Sequence, residues 1–224
     1  MDVCDINNTS REIELINTEN GNSISNGNGN GKNNTGIIPV VFPSDYELFV
    51  SFMQKKASTK AYVFTDLTDF TKYISEIPLE VLWALAQYEK LVLLTIPTFT
   101  GELVKSVGDS FFLVFPTVPL AIGWCLDFQA TWKNSLCSET AFGIGYGESY
   151  CVQSQVSCDY FGKEICLSSK LGEDISKGSD ILLTVSAFAS LQTSPEKDSW
   201  NFSMVSTPDS ISYYTYIPAK DTLS

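Results

Sequence analysis

The sequence predicts one α+β domain with a mixed or largely antiparallel sheet, preceded by a flexible tail. The 224 residues are 44% hydrophobic and 18% charged, a composition that can bury one sizeable core. From residue 38 onward, short β-rich runs alternate with apolar residues at helical spacing, which is typical of α+β domains. Between Asn20 and Asn34, eleven of fifteen residues are Asn or Gly, so little apolar surface offsets the entropy of ordering. We therefore expect a flexible tail over residues 1–37 and the folded domain over residues 38–224.

The first predicted strand ends at a carboxylate. Residues 61–64 form a short apolar run that stops just before Asp66, as expected of a buried strand. Thr68 or Asp69 then caps a short helix. Apolar residues occupy nearly the whole circumference of residues 79–96, which predicts a long and largely buried helix.

A β-hairpin follows, with a second carboxylate at its tip. The β-rich runs Glu102–Val107 and Ser110–Phe115 are separated only by Gly108 and Asp109, a dipeptide that suits a tight turn. Further along the chain, the patterns predict helices over residues 118–134, 162–175 and 186–191, and strands over residues 141–146, 149–153, 181–184 and 211–217.

Charge and residue usage exclude several classes of function. The formal charge is −12, with 14 basic against 26 acidic residues, so neither nucleic acid nor an anionic membrane is expected as a partner. The chain contains no His, which excludes Ser-His-Asp and Cys-His catalysis and histidine zinc sites. Arg11 is the one arginine, so Lys supplies the fixed cations of the expected domain. Without a leader-like segment or an apolar run of roughly 18 residues, we expect a cytoplasmic protein with reduced cysteines.

Asp66 and Asp109 are the candidate site residues that the pattern itself indicates. Each ends or turns a hydrophobic strand, where a carboxylate costs free energy unless it is capped, solvated or bound to a cation. An Asp after a strand is usually a helix cap, and an Asp in a Gly-Asp turn is usually a turn former. The pattern alone leaves open whether the two residues bind metal.

Five segments of the chain, taken in order, carry a family resemblance. They are F-T-D-L-T-D-F-T at residues 64–71, G-E-L-V-K-S-V-G-D-S-F-F-L-V-F at 101–115, G-I-G-Y-G at 143–147, D-Y-F-G at 159–162 and G-S-D-I-L-L-T at 178–184. Together they resemble the catalytic domain of class III nucleotide cyclases over about residues 60–190. The hairpin segment keeps the family pattern G-x-x-V-K-x-x-G-D closely.

The resemblance implies a palm-like, ferredoxin-like domain that works as a head-to-tail homodimer with composite sites at the subunit interface. It implies that Asp66 and Asp109, with the Leu67 carbonyl oxygen, bind two divalent cations, Mg²⁺ or Mn²⁺, which prefer oxygen ligands. These ions would clamp a nucleoside triphosphate and lower the pKa of its ribose 3′-hydroxyl, which attacks the α-phosphorus and expels pyrophosphate. The N–H groups of Phe70 and Thr71, at a helix start, would receive phosphate oxygens.

Lys105 and Asp159 match the positions at which the family reads the base from the partner subunit. One donates and the other accepts hydrogen bonds, a combination that suits adenine. Without the resemblance, Lys105 would be interpreted as a solvent-reaching strand lysine and Asp159 as a helix cap.

Several positions near the expected phosphates depart from the family pattern. Cys166 stands where the family has an asparagine that positions the ribose, and Lys170 stands where it has an arginine that stabilises the transition state. A thiol donates weakly, and Lys offers a point charge in place of a planar fork. Asp69 replaces a glycine beside the phosphates, and the family's lysine before the last strand has no counterpart. Lys170 is therefore the catalytic cation that the sequence offers.

Two classes of function follow from these residues. The first is a nucleotide cyclase that makes a 3′,5′-cyclic second messenger for a separate cyclic-nucleotide-binding effector. The altered Cys166 and Lys170 slightly favour a pyrimidine (UTP or CTP) cyclase of bacterial anti-phage, Pycsar-type signalling, whereas Lys105 with Asp159 favours the alternative substrate, ATP. The second class is a catalytically inactive cyclase-like module that dimerises or holds nucleotide.

Overall fold

The computed structural model describes residues 45–153, 158–208 and 210–218. The expected tail over residues 1–37 lies outside these residues. The chain divides into two compact units, one of residues 1–56 with 153–157 and one of residues 57–152 with 158–224. The described part of the first unit contains helix α1, Tyr46–Gln54, which the Asp45 side chain caps by accepting from two backbone amides.

The second unit contains the sheet and the helices that cover it. Its strands are β1 Ala57–Leu67, β2 Glu102–Val107, β3 Ser110–Phe115, β4 Thr140–Gln153, β5 Cys158–Phe161, β6 Ile181–Thr184, β7 Asn201–Ser206 and β8 Ser212–Ile217. Its helices are α2 Phe70–Glu76, α3 Pro78–Thr95, α4 Val118–Thr131, α5 Lys163–Ser169 and α6 Val185–Gln192, with a 3₁₀ turn at Ile96–Phe99 and a π-helical segment at Lys170–Ile175. No helix in the described residues combines the length and hydropathy that a bilayer crossing requires.

The sheet is mixed, which confirms the predicted fold class. Its strand order is β2-β3-β1-β4-β6-β8-β7, with β5 paired to β4. The central strand β1 runs antiparallel to both β3 and β4, and β4 runs parallel to β6. The predicted β2–β3 hairpin forms, so Asp109 lies at a turn next to the end of β1.

The larger core covers one face of the sheet. Alternate β1 residues, among them Ala61 and Val63, pack with buried aromatic residues of α3, β3 and α4. Tyr88 stands at its centre, with ring centroids 5.1 Å from Phe111 and 4.9 Å from Phe128. This continuous aromatic packing fixes the helices against the strands that carry the candidate site.

Helix α3, with 18 residues, is the longest helix in the described part of the chain, as predicted, but it is not largely buried. Its inner face contributes Val81, Ala84, Tyr88 and Val92 to the core, while Leu79, Leu82, Trp83, Leu93 and Leu94 are at least half exposed. A helix on a single sheet face presents only one side to the core, so an apolar circumference overstates its burial.

The second face of the sheet is covered by α5 and the π-helical segment. Tyr62, Phe64 and Phe112 pack there with Ile165 of α5. A Cβ atom at Gly143 of β4 would lie nearer than 3.0 Å to backbone atoms of Ser168 and Gly172, so only glycine permits this approach. The close contact brings the helix that carries Lys170 against the middle of the sheet.

Several elements differ from the sequence expectation. Residues 141–146 and 149–153 belong to one long strand, β4, and strands β5 and β7 were not predicted. The helix expected over residues 162–175 is an α-helix that widens into a π-helical segment. The helix expected to reach residue 134 ends at Thr131.

Candidate functional site

The carboxylate of Asp66 lies at the end of β1. Strand alternation places it on the same face as Tyr62 and Phe64, and it is half-buried. The pKa of Asp66 is raised to about 6, mainly by burial and further by the nearby charges of Asp109 and Glu173. The raised pKa shows that the charged form of Asp66 is disfavoured when no cation is bound.

Asp109 approaches this position from the hairpin turn. Gly108, which precedes it, has φ of 61°, a left-handed conformation that glycine adopts without strain. Burial raises the pKa of Asp109, backbone hydrogen bonds from Asp109 itself and from Leu67 oppose the rise, and the charge of Glu173 adds to it. The structure therefore brings Asp66, Leu67 and Asp109 together, although they are distant in sequence.

This donor set fits a hard divalent cation. Two half-buried carboxylates that repel each other are stabilised by a positive ion, and oxygen is the ligand that Mg²⁺ and Mn²⁺ prefer. In the described ranges, no three His, Cys, Asp or Glu side chains are arranged to hold a metal ion by themselves. Asp66, Asp109 and the Leu67 carbonyl would therefore hold such ions together with oxygens from another molecule.

The expected cap of α2 by Thr68 or Asp69 is wrong. The Thr68 hydroxyl donates to the Gly178 carbonyl at 3.1 Å, and the Asp69 side chain makes no cap hydrogen bond. The Asp69 backbone is left-handed, with φ of 65°. Because neither side chain accepts a hydrogen bond from the start of α2, the first N–H groups of the helix, at Phe70 and Thr71, are left to other acceptors.

For the nucleoside triphosphate that the family resemblance implies as substrate, we expect Asp69→Asn to lower the KM about threefold, because it removes a negative charge from the helix start. Asn tolerates the left-handed backbone as Asp does, so the melting temperature should change little. Steady-state kinetics at two salt concentrations measure the effect, which added salt should reduce. An unchanged KM at low salt would show that Asp69 points away from the substrate.

Lys105 and Asp159 form an ion pair in the structure. The Lys105 ammonium donates to Asp159 Oδ2 at 2.5 Å and lies 5.9 Å from the centre of the Phe112 ring. Asp159 Oδ1 also accepts from the Tyr160 amide. The two residues come from different strands, 54 positions apart, and form one donor–acceptor pair at the surface.

Cys166 of α5 and Lys170, the first residue of the π-helical segment, lie one helical turn apart. Both side chains are exposed, and the Lys170 amide donates to the Cys166 carbonyl. This spacing places a thiol and an ammonium group on the same helix face. Within the described residues, no hydrogen bond or ion pair joins them to Asp66 or Asp109.

Glu173 is a site residue that sequence reasoning missed. It lies on the π-helical segment, and its charge contributes to the raised pKa of both aspartates. The sequence offers only a weak signal for it, since Ser169 and Glu173 are spaced as a helical pair. Its proximity to Asp66 and Asp109 depends on how α5 packs against the sheet.

Solved structures with the same architecture are nucleotide cyclase domains. An adenylate cyclase from Trypanosoma brucei aligns with a TM-score of 0.62 at 16% identity, covering 74% of this chain and 92% of that one. The adenylyl cyclase CyaB from P. aeruginosa aligns at 0.60 and 16% identity, covering 75% and 99%. A guanylyl cyclase domain of the RhoGC fusion protein from Blastocladiella emersonii aligns at 0.61 and 16% identity, covering 74% and 98%.

The chain has the class III nucleotide cyclase fold. Curated relatives of this cyclase-fold chain include an adenylate cyclase from Podospora anserina, 26% identical over 156 residues, and one from Schizosaccharomyces pombe, 23% identical over 172 residues. The matches cover 56% and 63% of this chain but only 7% and 10% of those proteins. No family model matches the chain.

Proposed function

We propose that this cyclase-fold domain converts a nucleoside triphosphate, ATP in the first place, into a 3′,5′-cyclic nucleotide and pyrophosphate. The observation that carries the proposal is the convergence of Asp66 and Asp109 from the end of β1 and the β2–β3 turn. Such a carboxylate pair, at the end of a central strand and the adjacent hairpin turn, suits the polyphosphate chemistry that the fold relatives' names indicate. The proposal includes a cytoplasmic location, where nucleoside triphosphates are available.

Each residue of the site has a role in the proposed reaction. Two divalent cations, when held by Asp66, Asp109 and the Leu67 carbonyl, supply positive charge to the triphosphate and acidify the ribose 3′-hydroxyl. The bond from O3′ to the α-phosphorus forms while the bond to the leaving pyrophosphate oxygen breaks, and the hydroxyl proton passes to solvent. Lys170 offers positive charge where the pentavalent phosphorus develops, and the amides of Phe70 and Thr71 donate to phosphate oxygens.

ATP is the favoured substrate because of the Lys105–Asp159 pair. Adenine presents a ring nitrogen acceptor beside an amino donor, which match the Lys105 ammonium and the Asp159 carboxylate. Both curated relatives are named adenylate cyclase, which supports the same choice.

A homodimer is part of the proposal. Val107, beside the turn that carries Asp109, is 72% exposed, and Phe161, beside Asp159, is 55% exposed. Large apolar side chains that flank both halves of the site are suited to burial against a second subunit. Composite sites would then combine Asp66 and Asp109 of one subunit with the base-reading pair of the other.

A pyrimidine substrate is the second candidate. The exposed Cys166 and Lys170 favour it, because a site without the family's asparagine and arginine is built differently around the ribose and the phosphates. Its product would act in anti-phage signalling through a separate cyclic-nucleotide-binding effector. A catalytically inactive module remains the alternative if no triphosphate is turned over.

Incubation with ATP, GTP, CTP or UTP and Mn²⁺, with products identified by mass, tests these candidates. The expected result is cyclic AMP from ATP. Cyclic UMP or cyclic CMP as the main product would overturn ATP as the favoured substrate and support the pyrimidine candidate. The absence of any cyclic product under all four conditions would leave the inactive module.

Asp159→Asn is expected to raise the KM for ATP about tenfold, with a smaller change in kcat. The substitution removes a charge-assisted hydrogen bond to the base, which contributes more than a neutral one. Asp198→Asn, in an exposed loop, is the matched control and should leave KM unchanged. Equal KM values for the two variants would exclude Asp159 from base recognition.

A further inference from the structure

A single carboxylate bridges two separate parts of the site. Glu173 Oε1 accepts a hydrogen bond from the Ser110 hydroxyl at 2.5 Å, and Glu173 Oε2 accepts one from the Ser169 hydroxyl at 2.5 Å. Ser110 and Glu173 are 63 residues apart, whereas Ser169 is four residues before Glu173 on the same helical stretch. Each oxygen of the carboxylate therefore has its own hydroxyl donor.

The two serines flank the functional residues. Ser110 directly follows Asp109 and begins β3, so its position sets the end of the hairpin turn. Ser169 directly precedes Lys170 at the end of α5. The Glu173 bridge thus joins Ser110, the neighbour of Asp109, to Ser169, the neighbour of Lys170.

The π-helical segment makes this bridge possible. Lys170–Ile175 is wider than an α-helix, and such segments in proteins are frequent at functional sites. Within it, the Gly172 backbone lies so close to the Phe64 carbonyl that no side chain would fit between them. The segment therefore rests on β1, and the next residue, Glu173, reaches the turn after β2.

We propose that Glu173 is a positioning residue. Its hydrogen bonds with Ser110 and Ser169, together called the clasp, hold the Asp109 turn against the helix end that carries Lys170. The proposal rests on the proposed cyclase function. The clasp fixes the distance between the carboxylates that would hold the cations and the Lys170 ammonium group that would face the phosphates. Hydrogen bonds to a carboxylate are roughly twice as strong as those between neutral groups. The bond from Ser169 therefore fixes the Glu173 carboxylate, and the bond from Ser110 attaches the hairpin turn to it.

Three variants separate positioning from a direct effect of charge. Glu173→Ala removes both acceptors, Glu173→Gln keeps one acceptor without the charge, and the double variant Ser110→Ala with Ser169→Ala keeps the charge without its donors. We expect Glu173→Ala and the double variant each to lower kcat about 100-fold, with KM within about threefold, because a shift of about 1 Å in catalytic groups has this effect. Glu173→Gln should retain activity within about tenfold of wild type.

Asp174→Ala is the matched control, because Asp174 is an exposed acid on the same segment for which the described residues show no side-chain hydrogen bond. It should behave as wild type. If the double variant turns over like wild type while Glu173→Gln is as impaired as Glu173→Ala, Glu173 acts through its charge and the clasp is wrong.

Hydrogen exchange in the metal-free protein gives a readout that does not depend on turnover. Glu173→Ala and the double variant should increase amide exchange in residues 107–111 about tenfold or more, whereas Asp174→Ala should not. If wild type makes no cyclic product but this increase is seen, the proposed function fails and the clasp stands. Unchanged exchange in both variants would overturn the clasp even in an active enzyme.

Discussion

Replacing Asp66 with Asn is expected to abolish cyclase turnover and to stabilise the metal-free domain. Turnover should fall about 10³-fold or more, since one of two carboxylates that hold the cations loses its charge while the shape of the side chain stays the same. Product formation from ATP with Mn²⁺ measures this loss. Few substitutions in this chain should combine so large a loss of function with a gain in stability.

The gain in stability follows from the raised pKa of Asp66, about 6 against an ordinary 3.8. The folded state binds its proton more tightly than the unfolded state, so the charged carboxylate destabilises the fold as pH rises through about 4 to 6 and at all higher pH. In EDTA at pH 7.5, Asp66→Asn should raise the melting temperature by about 2 °C or more, and the difference should vanish near pH 4.

Asp127→Asn provides the control, because Asp127 is an exposed carboxylate on α4. It should change neither turnover nor melting temperature. An Asp66→Asn protein that retains substantial turnover would refute the assignment of Asp66 to the cation site. A lower melting temperature in EDTA would refute the account of its electrostatic cost.

Among glycine-to-alanine changes in the described residues, Gly143→Ala is expected to cause the largest loss of stability. The new Cβ would clash with backbone atoms of Ser168 and Gly172, which belong to helical segments and do not rotate away. Overpacking of this kind costs about 3 kcal/mol, so the melting temperature should fall by roughly 10 °C. Differential scanning calorimetry measures the change.

The same substitution should also reduce turnover, because it pushes the π-helical segment away from β4 and displaces Lys170 and Glu173. Gly123→Ala is the control, since its Cβ approaches only the edge of the Phe99 ring at 3.1 Å and Ala is favourable inside α4. That variant should melt within about 2 °C of wild type. Equal melting temperatures for Gly143→Ala and Gly123→Ala would show that α5 moves more freely on the sheet than its packing indicates.

Local sequence patterns predicted the strands and turns that carry the aspartates because those elements form from neighbouring residues. The apolar run before Asp66 and the Gly108-Asp109 turn are confirmed as the end of β1 and the tip of the β2–β3 hairpin. The cap expected at Thr68 or Asp69 is wrong. The Thr68 hydroxyl bonds instead to the carbonyl of Gly178, more than a hundred residues away, and Asp69, whose backbone is left-handed, makes no cap hydrogen bond. The prediction that α3 is largely buried is wrong, because the apolar pattern does not show that only one side of the helix packs against the sheet.

The sequence by itself determined which chemistry is available: acidic oxygens at the ends of hydrophobic strands, lysine as the cation of the fold, and no imidazole. Only the tertiary structure decided that Lys105 pairs with Asp159 and that Glu173 joins the two halves of the site. The physical reason is the separation of the contacting residues along the sequence. A strand or turn is selected by residues a few positions apart. The contacts of Lys105 with Asp159 and of Ser110 with Glu173 span 54 and 63 positions, and they exist only once the helices pack on the sheet.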